Sequence, residues 1–208
     1  MVQTQSLQFA YDNRSAFSFP DIHLADGQNL LILGESGIGK TTLLHLLAGL
    51  LPTQSGSIRL DKTDITQLSA RKRDRFRGQH IGLVFQQPHF VSALTLVENL
   101  RLIQHVAHRS RDAERIGAVL AKLGLSEKLH RRPIRLSQGE QQRAAIAMAV
   151  VNQPSLILAD EPTASLDDKN CQQVVELLQE QAAATGAHLV IITHDQRLKD
   201  QFERTLTL

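Results

Sequence analysis

The sequence predicts an α/β fold. A mainly parallel sheet is flanked by helices, an antiparallel β subdomain stands at the N-terminal end, and an α-helical subdomain is inserted ahead of the last strands. Three observations carry this. Short apolar runs (NLLIL at 29–33, IGLVF at 81–85, SLILA at 155–159, HLVIIT at 188–193) have the length and continuity of strands buried on both faces. Helix-like segments separate them, and strand, helix, strand in succession implies parallel pairing through right-handed crossovers. Leu7, Phe9 and Tyr11, then Phe17 and Phe19, alternate with polar or small residues, which reads as a β-hairpin turned at Asp12-Asn13.

The elements follow in order. The run at 29–33 ends at Gly34. Thr42 to Leu51 is helix-like in composition and is stopped by Pro52. Gly56-Ser57 leads to a strand through Ile58 and Leu60. After Phe85 the character changes: 95–107 and 111–123 carry helical apolar spacing, and Gly124 sits where a C-terminal cap belongs. Roughly 87–150 is therefore expected to be a helical insert with its own small core, with 1–86 and 151–208 forming the main body of a single domain spanning 1–208. A helix of about 170–184 lies between the last two buried strands. The run Arg71-Lys72-Arg73-Asp74-Arg75-Phe76-Arg77 reads as a solvated helix face.

Composition excludes several classes. At 208 residues the chain is one domain, long enough to bury roughly 70% of its unfolded surface. Hydrophobic residues make up 42% and charged residues 21%, as in soluble globular proteins. No apolar run approaches the ~20 residues of a membrane helix. A net charge of +2 gives no electrostatic footprint for nucleic acid. One cysteine, Cys171, excludes an internal disulfide and fits a reducing compartment. The opening MVQTQSLQFAYD lacks the sections of a secretory signal.

Gly34-Glu35-Ser36-Gly37-Ile38-Gly39-Lys40-Thr41 fits G-x-x-x-x-G-K-[ST] at every fixed position, between a strand and a helix. Glycines let backbone N–H groups converge on phosphate oxygens. The next helix aims its N-terminus at the same anion. Lys40 supplies a full charge to the outer phosphates, and the Thr41 hydroxyl can ligate Mg²⁺. This predicts a P-loop nucleoside triphosphatase but does not separate kinases, GTPases, helicases and transport ATPases.

Leu156 to Ala159 ends in Asp160-Glu161. Carboxylates at the C-terminal end of a parallel strand sit where ligands bind in open α/β sheets. Asp160 is suited to hold Mg²⁺ opposite Thr41, and Glu161 to orient or deprotonate an attacking water. His194, ending a further strand, can meet a γ-phosphate or that water. Leu136-Ser137-Gln138-Gly139-Glu140 opens a helix. Ser137 with Glu140 reads first as a capping box. A capped helix start with a glycine is also an anion site, outside the chain's own phosphate loop and able to reach a γ-phosphate held by another copy.

The ordered set GESGIGKT, VFQ, LSQGE, LILADE, SLD and TH resembles the ATP-binding-cassette (ABC) ATPase family from Tyr11 to His194, and IGLVFQQPHFVSALTLVENL resembles its lipoprotein-release and macrolide-export branch. The resemblance implies ATP and Mg²⁺ as cofactors, with residues 34–41 and Thr42 at the nucleotide. It implies that Tyr11 stacks on adenine, a strand-core role being the alternative. It implies that Gln86 contacts Mg²⁺ or water and senses a transporter, and that Ser137 and Gly139 contact the partner subunit's γ-phosphate. Ser165-Leu166-Asp167 is implied to cross the dimer interface, although Asp167 equally suits a helix cap. Gln138 and Glu140 depart from the commonest Gly and Gln of the signature, and Met148 stands where many relatives carry Arg.

The expectation is ATP hydrolysis by a homodimer sandwiching two ATP head to tail. It drives a separate integral membrane permease, docked near Gln86 to Asn99, at the cytoplasmic face of the inner membrane. Export or extraction of a lipophilic substrate, lipoprotein or peptide is expected. The basic run at 71–77 has a lipid or permease contact as its alternative to solvation. An ABC ATPase driving a soluble or mechanical process is the other functional reading. A P-loop kinase has no reason to carry LSQGE.

Overall fold

The computed structural model describes the chain except for residues 12–15 and Ser165. Two five-stranded sheets organise it. In the antiparallel one, β1 (Val2–Ala10) pairs with β2 (Ala16–Ser18), with β3 (His23–Leu24) and with β5 (Ser55–Leu60), which in turn pairs with β6 (Thr63–Asp64). Phe9 stands opposite Phe17, so the N-terminal hairpin is present, while its expected turn at Asp12-Asn13 lies outside the described residues. The parallel sheet has the order β10 (Thr205–Thr207), β4 (Leu30–Leu33), β9 (His188–Thr193), β8 (Leu156–Asp160), β7 (Ile81–Val84).

Helix α1 (Lys40–Leu47) follows β4, and α2 (Ala70–His80) leads into β7. Helices α3 (Leu96–Val106), α4 (Ala113–Lys122) and α5 (Gln138–Val150) separate β7 from β8, and α6 (Asp168–Thr185) returns the chain to β9.

The parallel strands are apolar throughout because both faces are covered. Their period of two divides the core. Leu31, Leu33, Val84, Ile157, Ala159, Leu189 and Ile191 face one way and pack with α3, α4, α5 and α6. Leu30, Ile32, Ile81, Leu156, Leu158, Val190 and Ile192 face the other way, towards α1 and the inner residues of the antiparallel sheet, among them Val2, Leu7, Phe9, Leu24, Ile58 and Leu60.

Two local features differ from expectation, and one alternative reading falls away. The buried residues of α3, α4 and α5 join the cluster under the parallel sheet rather than closing around a separate core. Gly82 permits that: a Cβ there would lie 2.3 Å from the Ala149 carbonyl oxygen, so α5 rides directly on β7. Helix α1 ends before Pro52, at Gly49 with φ +63°, where Leu50 N–H donates to His45 O at 2.8 Å and Gly49 N–H to Leu46 O at 2.9 Å. That left-handed C-terminal closure satisfies the last carbonyls before proline is reached. Tyr11 lies just past β1 and is 62% exposed, so it is not a core residue.

Helix α2 buries none of its residues, in keeping with a solvated basic face. Among the described residues, no helix is long and apolar enough to cross a membrane.

Candidate functional site

The register of the parallel sheet brings the motif residues to one edge. Leu33 is level with Thr193, Ile192 with Asp160, and Ala159 with Val84. The residues just past these strand ends (Gly34, His194, Glu161 and the Phe85–Gln86 segment) therefore share a rim, where open α/β sheets bind ligands.

Residues 34–39 form the turn from β4 into α1. Glu35 to Ile38 are exposed at its crest, while Gly39 and Lys40 are buried. Gly37 and Gly39 have φ of +84° and +104°, a region closed to most side chains. Gly39 is also crowded, since a Cβ would lie 2.7 Å from Phe17 Cδ1. Helices α3, α4, α5 and α6 begin with side-chain caps from Thr95, Asp112, Ser137 and Asp167, whereas α1, at Gly39, and α2, at Ser69, begin with none, and only α1 does so on the rim. Its first N–H groups are left to an anion. Lys40 Nζ donates to Gly34 O and Glu35 O, both at 2.8 Å, which holds the ammonium inside the loop, 3.8 Å from Glu161 Oε1.

Across the rim, Thr41 Oγ1 donates to Asp160 Oδ2 at 3.0 Å. Asp160 is buried, and its Oδ1 has no hydrogen-bond partner among the described residues. Burial pushes its carboxyl above the ordinary range, the Thr41 hydroxyl opposes that, and neighbouring Glu161 adds to it. A hydroxyl and a half-satisfied buried carboxylate, side by side, form a donor set suited to a hard divalent cation.

Glu161 adopts φ +47°, strained for a residue with a Cβ. Four bonds fix it. Its N–H donates to Ile192 O at 2.8 Å; Thr193 Oγ1 donates to Oε2 at 2.7 Å; His194 N–H donates to Oε1 at 3.2 Å; and His194 Nδ1 meets Oε1 at 2.9 Å. With Nδ1 on the carboxylate, His194 keeps Nε2 for a ligand on its exposed side. Thr193 was not singled out in the sequence. Its signal is that of the one hydroxyl closing an otherwise apolar strand run.

Tyr11 leans on α1, its hydroxyl 3.1 Å from Thr42 Oγ1, its ring edge-on to Phe9 at 4.8 Å. Gln86 is exposed past β7, on the same rim. Ser137 and Gly139 are exposed at the start of α5 and make no hydrogen bond to the phosphate loop among the described residues. The capping box is complete: Glu140 N–H donates to Ser137 Oγ at 3.3 Å, and Ser137 N–H to Glu140 Oε2 at 2.7 Å. Gln142 Nε2, one turn further, donates to Pro162 O at 3.0 Å and ties α5 to the segment after Glu161. Asp167 does cap α6, accepting from Asn170 N–H at 2.9 Å, while Ser165 lies outside the described residues.

A groove of about 820 Å³ opens between α2, β7, α3 and α5, lined among others by Arg71, Arg75, Leu83, Val106 and Met148. Its floor is apolar, and Met148 stands within it. Asn99 pins the loop before α3, accepting from Val91 N–H at 2.9 Å and donating to Thr95 O at 2.9 Å.

Comparisons with known proteins agree with this geometry. Residues 20–164 match the family described as ABC transporter. The chain is 35% identical over its whole length to the lipoprotein-releasing system ATP-binding protein LolD of Shewanella oneidensis, covering 93% of it. It is 40% identical to the LolD of Legionella pneumophila over 190 residues, which is 90% of this chain and 84% of that protein. A dimeric ATP-binding cassette solved in a post-hydrolysis state with ADP and Pi superposes with a TM-score of 0.87 at 29% identity, covering 100% of this chain and 94% of that one. A phosphate loop facing a paired carboxylate rim, in a chain so related, makes this protein a member of the ABC transporter family and its ATP-binding, ATP-hydrolysing type of subunit.

Proposed function

We propose that the chain works as a head-to-tail homodimer at the cytoplasmic face of the inner membrane, where it drives a separate permease in the release of a lipoprotein or similarly lipophilic substrate. One observation supports this most. Lys40, Thr41, Asp160, Glu161 and His194 converge on one rim, while Ser137 and Gly139 stand exposed on a different helix, without a partner on that rim among the described residues. A second copy brings those two groups to the nucleotide.

The reaction is ATP + water → ADP + phosphate. The amides of 34–39 and the uncapped start of α1 hold the phosphates, and Lys40 neutralises the outer ones. Thr41 and Asp160, together with Gln86 from the same rim, would hold Mg²⁺, which would supply charge neutralisation to the phosphates when bound. Tyr11 offers its exposed ring to the adenine. Glu161 accepts a proton from the attacking water, and three hydrogen bonds to its side chain fix the carboxylate in place. His194 Nε2 contacts the γ-phosphate or the water. Loss of the γ-phosphate removes the bridge to the partner's Ser137 and Gly139, and the dimer opens.

The groove between α2, β7 and α5 lies beside Gln86 and takes the permease, so that docking is felt at the rim. The single cassette is then divided into a body of about 1–86 with 151–208 and a helical part of about 87–150. The lipoprotein assignment rests on the names of the relatives.

The test is Glu161→Gln. Turnover should fall by ~10²–10⁴, the usual worth of a general base, while ATP drives stable dimers in sedimentation. Turnover equal to that of the unaltered chain ends the base assignment. Dimers that never form with ATP end the two-copy mechanism. Co-expression with a membrane permease that co-purifies with the chain should raise ATPase activity, and a lipoprotein presented to that complex should raise it again. A complex indifferent to lipoprotein ends the substrate assignment.

A further inference from the structure

The segment after β9 carries an arginine that the hydrolytic reading does not use. Arg197 grips Asp195 with Nε at 2.9 Å from Oδ1 and a terminal nitrogen at 2.7 Å from Oδ2, and its backbone N–H donates to Oδ1 at 3.0 Å. The same guanidinium reaches the start of α6: it pairs with Asp168 in the first turn, and it donates to Leu166 O at 3.4 Å. Two pieces of chain, 166–168 and 195–197, are thus held by one planar fork, a geometry that lysine does not reproduce.

What Arg197 holds leads back to the rim. Asp195 follows His194 directly, and its N–H donates to Thr193 Oγ1 at 3.0 Å. Thr193 Oγ1 in turn donates to Glu161 Oε2 at 2.7 Å. The Asp195 carboxylate is mostly buried and also accepts from Thr163 Oγ1 at 3.4 Å, so the segment after Glu161 meets the same anion. A continuous set of hydrogen bonds therefore runs from Leu166 and Asp168, through Arg197, Asp195 and Thr193, to Glu161 and His194. An isolated exposed ion pair is worth little, but this one closes a network whose other end is a partly buried carboxylate.

We propose that Arg197 is a positioning residue: it locks the Leu166–Asp168 end of the loop before α6 to the end of β9, so that displacement of that end of the loop moves Glu161 and His194 together. A contact made on the loop by a second copy would then set the alignment of the hydrolytic pair. This rests on the reading of Glu161 as the base, and its dimer aspect on the two-copy mechanism.

The experiment measures ATP turnover against ATP concentration, nucleotide affinity by equilibrium binding, and Tm, for Arg197→Ala, Arg197→Lys and Asp168→Asn, with Glu161→Gln in parallel. Arg197→Ala should lower kcat by roughly 10- to 100-fold, the scale of ångström misplacement of a catalytic group, with affinity within about twofold and the Hill coefficient falling towards unity. Arg197→Lys, which restores charge without the fork, should recover only part of kcat. Asp168→Asn, at an exposed position that tolerates change, should move kcat in the same direction and add little in the Arg197→Ala background. Should Arg197→Ala fail to fold, the lysine and asparagine variants carry the test. The proposal is overturned by a normal kcat and Hill coefficient in these variants, by affinity and Tm falling in step with kcat, or by additive double variants. If Glu161→Gln itself retains full turnover, the base reading has failed rather than the role of Arg197.

Discussion

At the scale of single residues, the site trades stability for function, and Asp160 shows how. Its carboxyl is held above the ordinary range by burial. An acid raised in the folded state costs stability at every pH above its unfolded value, and the cost is relieved as pH falls. Asp160→Asn removes the charge, keeps the shape and leaves Thr41 an acceptor. The nucleotide-free variant should therefore melt higher at pH 7, by ~2–4 °C if the relief is about 1 kcal/mol. The gain should shrink towards pH 4 and below. Mg²⁺-dependent nucleotide binding should weaken at the same time. Thermal melts across pH check the first part, and a variant that melts lower at pH 7 contradicts it. The left-handed backbone of Glu161 belongs to the same pattern of strain kept where chemistry is done. Neither feature is legible in LILADE. The motif places two acids at a strand end, but which one is desolvated and which is strained depends on what surrounds them.

At the scale of elements, helix starts do most of the work. Ser137 and Asp167 were readable as caps from residue type and spacing, and they cap, whereas the caps at Thr95 and Asp112 emerged only in the structure. The bare start of α1 was equally readable, as glycines in the phosphate-loop pattern. Less readable was the seat of α5, which carries Ser137 and Gly139. It sits on β7 through Gly82, where no Cβ fits. Gly82→Ala should force the helix outward, costing about 1–3 kcal/mol as overpacking does, and should lower ATP turnover beyond the loss of folded protein because the tip of α5 shifts. Chemical denaturation with ATPase assays at a permissive temperature measures both. Wild-type stability would show that the close approach is not rigid. The expectation of a separate core in the helical insert failed for the same reason: apolar spacing reports that a helix has a buried face, not which partner covers it.

At the scale of the whole molecule, the two halves of the phosphate-binding chemistry stand on different elements of one chain, and a mixing experiment asks whether two copies join them. Lys40→Ala disables a chain's own loop, and Ser137→Arg disables the tip it lends. Each variant alone should hydrolyse little ATP. A mixed dimer keeps one site intact, formed by the loop of the Ser137→Arg chain and the tip of the Lys40→Ala chain. An equal mixture should recover about a quarter of normal turnover if subunits assort at random and sites act singly, as a twofold assembly with reciprocal contacts requires. No recovery on mixing stable, dimerising variants contradicts the exchange of tips.

The sequence by itself determined the fold class, the parallel strands, the phosphate loop, the carboxylate pair and the caps at Ser137 and Asp167, because each is a local pattern: a run, a period or a spacing of a few residues. Tertiary structure alone decided which residues are level along the rim, that Thr193 grips Glu161, that Arg197 joins the end of β9 to the start of α6, and that the helical insert shares the main core. Those outcomes depend on strand register and on side chains far apart in sequence meeting across a packed interior, and no local pattern encodes a distance between residues so far apart along the chain.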